Sequence, residues 1–176
     1  MALKQRWLEF MADGLHSKRL ALDTNVLLDI AAGYEFALRF KTEFQARKFA
    51  LYYPPGVAAE LFHLSVNGNA EQRERSAAAL DHLILWGITP IILTDVEKRY
   101  RKNFMGFVED RQVLPKGEVN DARILADTAI AHIPMLVTSD RGILDADQIE
   151  LSLAFEDAGL PVVHPVHPAR LTRSLR

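Results

Sequence analysis

The chain has 176 residues, no cysteine, 49% apolar and 25% charged side chains, and a formal net charge of −2. That composition excludes whole-chain disorder, disulfides, thiolate zinc sites, iron–sulfur clusters and cysteine nucleophiles, so any metal must be held by oxygen or imidazole. It also argues against coating duplex DNA by bulk positive charge. The longest apolar stretches, such as Leu20 to Ile30, are cut by acids and fall short of the roughly 20 residues that span a bilayer. The expectation is one cytoplasmic domain over residues 1–176, with no membrane segment.

At the N-terminus, Leu3, Trp7, Phe10 and Met11 recur at helical spacing without a cleavage-site pattern, which predicts a docked helix over about 2–12. Arg19 to Asp23 reads as a strand running into a helix that carries Val26, Leu27 and Ile30. Phe36, Phe40, Phe44 and Phe49 follow at mostly helical spacing, and Ala50 to Tyr53 is a strand stopped by Pro54-Pro55-Gly56. Helices are expected over Val57 to Val66, with Glu60 in the opening turns, and over Ala70 to Trp86, with Ala77, Leu80, Ile84 and Leu85 inward.

Ile88 to Leu93 is a β-branched run and reads as another strand. Asp95 to Gln112 is helical, Pro115-Lys116-Gly117 is a turn, and Val119 to Ile133 is the clearest helix, with a stripe of Ala122, Leu125, Ala126, Ala129, Ile130 and Ile133. A strand over Pro134 to Thr138, a helix over Ile149 to Ala158 and a short strand over Leu160 to Val163 complete the pattern. Arg170, Arg173 and Arg176 read as part of a solvated basic tail over 165–176, and His164 and His167 as a surface loop. Strands alternating with helices predict an α/β fold with a mostly parallel sheet of about five strands.

In such sheets ligands bind at the carboxyl ends of strands, which draws attention to Asp23 and Asp140. Each also suits a helix N-cap, and Glu60 and Asp121 suit the positive end of a helix dipole. Four acids near element ends on one side of a sheet nevertheless repel one another unless a cation joins them. Oxygen ligands favour Mg²⁺ or Mn²⁺, and the chemistry that follows is phosphodiester hydrolysis.

The stretch Leu20-Ala21-Leu22-Asp23-Thr24-Asn25-Val26-Leu27-Leu28 resembles the opening of the PIN-domain nucleases. Gly117 to Ala126, followed by Leu136-Val137-Thr138-Ser139-Asp140, resembles their closing half. The resemblance implies a three-layer α/β/α fold and a four-acid catalytic and metal-binding set of Asp23, Glu60, Asp121 and Asp140. Many relatives are VapC-type toxins, metal-dependent ribonucleases held inactive by an antitoxin, so single-stranded RNA, an antitoxin protein and a homodimer are the implied partners. A catalytically silent RNA- or protein-binding module of the same fold is the alternative.

Around the acids, Thr24 and Asn25 either cap the first helix or orient Asp23, and Thr138 or Ser139 orients Asp140. Asp127 is expected to pair with Arg123 four residues back. Asp29 reads as exposed, and Glu118 as a first-turn acid near the pocket. Lys98, Arg99, Arg101 and Lys102 form the densest basic patch. It suits RNA phosphates, or else a solvated face with Val96, Tyr100, Phe104 and Phe107 inward. Arg141 is the basic residue placed nearest the scissile phosphate. Tyr34, Phe36 and Phe40 suit either the core or a dimer or antitoxin surface. No nucleotide-cradling glycine loop and no Gly-x-Ser-x-Gly is present.

Overall fold

The computed structural model describes residues 18–175; the helix expected over 2–12 and Arg176 lie outside them. In chain order the elements are β1 (Arg19–Leu22), α1 (Thr24–Ala31), α2 (Glu35–Ala46), β2 (Ala50–Tyr53), α3 (Pro55–Asn67), α4 (Ala70–His82) and β3 (Ile88–Pro90). Then come α5 (Glu97–Asp110), α6 (Val119–Ile130), β4 (Met135–Val137), α7 (Arg141–Leu144), α8 (Gln148–Asp157), β5 (His164–Val166) and α9 (Pro168–Ser174). The five strands form an all-parallel sheet in the order β3-β2-β1-β4-β5, flanked by helices. This is the expected PIN-like α/β architecture.

The central strand explains itself. Leu20, Ala21 and Leu22 are wholly buried, as a parallel strand covered on both faces requires. Helix α6 buries Ala122 and every residue from Ile124 to Ile130, so its expected stripe lies in the core together with Ile133. Phe40, Phe44 and Phe49 pack ring to ring under α2, and Phe104 of α5 stacks on Phe155 of α8 at 4.4 Å. Phe40 is fully buried, which removes it from any partner surface.

Several expectations are corrected. Helix α4 ends at His82 rather than Trp86, and a turn in which Trp86 N–H donates to His82 O and Ile88 N–H to Leu83 O carries the chain on to Gly87, with Leu83 buried. Ile84 and Leu85 are therefore exposed, as is Ala77, and Ser76 and Ala79 face inward. Strand β3 pairs only over Ile88–Pro90, leaving Ile92 exposed. Leu160–Val163 is a connector that drops Val163 into the core before pairing starts at His164.

The expected basic tail is instead β5 and α9, with Leu171 and Thr172 buried, so His164 and His167 belong to packed elements. A His-Pro-Val strand is possible because β5 is an edge, where proline's missing N–H costs no ladder bond.

Candidate metal centre

The order of the strands reverses beside β1: the chain first builds outward through β2 and β3, then returns to place β4 on the other flank. Asp23 directly follows β1, and Thr138-Ser139-Asp140 follows β4, so both lie where open parallel sheets take their ligands. Glu60 reaches the same edge from α3, and Asp121 from the first turn of α6.

Each acid is held differently. Asp23 is 2% exposed; its Oδ1 accepts from Thr24 N–H at 2.7 Å and its Oδ2 from the Thr138 hydroxyl at 2.7 Å. Burial pushes its pKa up to about 7 against those two bonds, with Glu60 and Asp140 adding to the rise. Asp140 caps α7 through Ile143 N–H at 3.3 Å and accepts from Asn25 Nδ2 at 3.2 Å. Glu60 Oε2 accepts from both the Thr24 hydroxyl at 2.6 Å and Asn120 Nδ2 at 2.7 Å.

Asp121 is the exception. It is half-buried and accepts no hydrogen bond among the described residues. Burial, then Asp23, Asp140, Glu118 and Glu60, push its carboxyl up to about 8. The four expected acids thus lie within electrostatic reach of one another, and Glu118 stands beside them at the N-cap of α6.

A divalent cation fits this donor set in kind: hard oxygens with no Lys, Arg or His within ion-pair distance among the described residues. The oxygens are spread over Thr24, Thr138, Asn25 and Asn120, and no three acidic or histidine side chains among the described residues form a ready ligand set. Binding a cation requires side-chain rotation, for which Asp121 is the least restrained. Beside the acids lies a half-open cleft of about 970 Å³, lined in part by Val108, Leu114, Glu118, Ala122, Arg141 and Gly142.

The structure redistributes the supporting roles. Thr138 donates to Asp23 and, through the same oxygen, accepts from Asp140 N–H at 2.9 Å, so it links both strand ends instead of orienting the Asp140 carboxylate. Asn25 serves Asp140 rather than Asp23, and Ser139 donates to Asp29 at 2.8 Å. Asp29 is therefore half-buried, not exposed, and burial raises its pKa. Asp127 does form an ion pair, but with Arg101 of α5 at 3.3 Å instead of Arg123. That pair takes Arg101 out of the basic patch, and Lys98 pairs with Asp95. Arg99, Lys102 and Arg141 are exposed. Val96 and Tyr100 are exposed too, so the inward face of α5 is Phe104 and Val108.

Neither a protein-family model nor a curated protein matches the sequence. Among solved structures, a chain in the crystal structure of VapBC2 from Rickettsia felis bound to a DNA fragment from their promoter matches with a TM-score of 0.56. Identity is 15%, over 84% of this chain and 98% of that one. The two share a fold.

Sequence reasoning missed Asn120, which ties α6 to Glu60. The signal lay in Gly56: a Cβ there would stand 3.1 Å from Ile124 Cγ1 and 3.3 Å from Asn120 Oδ1. Glycine lets α3 approach α6 closely enough for that bond, a role hidden within a Pro-Pro-Gly turn.

Proposed function

We propose that the protein is a Mg²⁺- or Mn²⁺-dependent ribonuclease that hydrolyses phosphodiester bonds of single-stranded RNA, with Asp23, Glu60, Asp121 and Asp140 holding the ion. The observation that carries this reading is the placement of Asp23, Glu60, Asp121 and Asp140 at one sheet edge, where Asp121 has other carboxylates around it and no cationic partner within ion-pair distance among the described residues. A bound divalent ion would supply a lowered water pKa and offset the charge of the scissile phosphate. Thr24, Thr138, Asn25 and Asn120 hold three of the four acids at the sheet edge. Arg99, Lys102 and Arg141 supply positive charge for the RNA backbone. The fold shared with a VapBC2 chain supports extending the reading to the toxin of a toxin–antitoxin pair, with an antitoxin as protein partner; a homodimer is the assembly we propose with it.

The alternative, a catalytically silent RNA- or protein-binding module, is favoured by the capping bonds of Asp23 and Asp140. Cleavage of a fluorescent single-stranded RNA separates the two. The nuclease reading expects cleavage with Mn²⁺, none with chelator, and a loss of at least about a hundredfold in Asp121→Asn, the scale of metal-assisted charge stabilisation. Full activity in chelator, or in that variant, would reject it.

A further inference from the structure

The helix that carries Glu60 has no N-terminal side-chain cap of its own. Pro54 precedes α3 and offers no acceptor to the first-turn N–H groups. Asp127 supplies one from α6: the Gly56 N–H donates to its buried carboxylate, which Arg101 also reaches. Glu60 stands one turn along α3 from Gly56, and Asn120 stands two turns before Asp127 on α6, so the two helices are tied together twice. Between the ties, Asn120 Oδ1 lies 3.3 Å from where a Gly56 Cβ would stand, which leaves the amide little room to turn.

The two oxygens of Glu60 are treated unequally. Oε2 takes both donors, the Thr24 hydroxyl at 2.6 Å and Asn120 Nδ2 at 2.7 Å, while Oε1 takes none among the described residues and is not buried. Asp23 and Asp140 each have a donor on both oxygens. Asp121, the next residue after Asn120, has a donor on neither.

We propose that Asn120 is a positioning residue that fixes the Glu60 carboxylate with Oε1 free for the divalent ion, while Asp121 is the carboxylate that turns to meet it. The inference rests on the metal reading of the acids. An ionised carboxylate only accepts, so its orientation is set by the donors on the oxygen that does not ligate, and the amide of Asn120 is such a donor on a rigid helix. An acid at position 120 would instead add a further carboxylate beside Glu60.

The test is the affinity of the full chain for Mn²⁺ without RNA, read by calorimetry and by the rise in thermal midpoint that Mn²⁺ produces. Asn120→Leu keeps the shape and removes the donor, and Asn120→Ser keeps a hydroxyl too short to reach Glu60. Each should weaken Mn²⁺ binding by about 10–100-fold, the usual cost of losing a group that orients a ligand. Adding Asn120→Leu to Glu60→Gln should weaken it no further. A merely structural role would lower the midpoint equally in chelator and in Mn²⁺ and leave the affinity unchanged. Native affinity in both Asn120 variants would overturn the positioning role and leave the metal reading intact, as would a loss in the double variant beyond that of Glu60→Gln. No Mn²⁺ binding by the native chain would overturn the metal reading and the proposal with it.

Discussion

A carboxylate in the first turn of a helix ordinarily gains from the helix dipole. At Asp121 that gain is outweighed by burial and by Asp23, Asp140, Glu118 and Glu60, which hold its pKa at about 8, against 3.8 for the free side chain. The folded chain without metal therefore binds more protons than the unfolded chain between those values, and its stability falls as pH rises from about 4 to about 8. Asp23, pushed up to about 7, acts in the same direction. In chelator, the thermal midpoint should be lower at pH 8 than at pH 5, and Asp121→Asn should raise it at pH 8 and flatten the dependence. A lower midpoint for Asp121→Asn at pH 8 would show that its charge is compensated.

The identities of these acids were legible in the sequence because strand ends and helix starts fix their positions. Their partners were not, because a hydroxyl or amide at a loop reaches several carboxylates. Thr138 and Asn25 each serve the acid on the other strand from the one expected.

At the scale of elements, a charge pair joins α5 to α6. Asp127 is fully buried and Arg101 reaches it from α5, with the Asp127 carboxyl still raised to about 6 because burial outweighs the arginine. Removing one partner of such a pair costs about 3–5 kcal/mol, since it strands the other. Arg101→Met should lose stability on that scale at pH 7.5 in urea denaturation. The loss should shrink when Asp127→Asn is added, or at pH 5, where Asp127 takes a proton. An equal loss in all three conditions would make Arg101 a packing residue only.

Helix periodicity read α6 well because its whole inner stripe is buried. Periodicity failed past His82, where the helix ends and the turn that follows leaves Ile84 and Leu85 in solvent. It was also blind to β5, an edge strand whose histidine and proline have poor strand propensity and whose pairing is set by β4.

For the molecule as a whole, the parallel sheet with β1 at its centre decides where chemistry is possible. The reversal of strand order brings Asp23 and Asp140 to one edge although 116 residues separate them, and α3 and α6 add Glu60 and Asp121 to that edge. The alternation of strands and helices made this architecture readable from the chain. The close passage of α3 over α6 was not readable, because it depends on the missing side chain of Gly56.

Calorimetric titration of Mn²⁺ into the full chain near pH 7, repeated in buffers of different ionisation enthalpy, tests the convergence of the acids most directly. Saturable binding should release protons, since Asp23 and Asp121 are partly protonated without metal, and should vanish in Asp23→Asn and in Asp121→Asn. No Mn²⁺ binding by the native chain, or equal binding by both variants, would contradict the account.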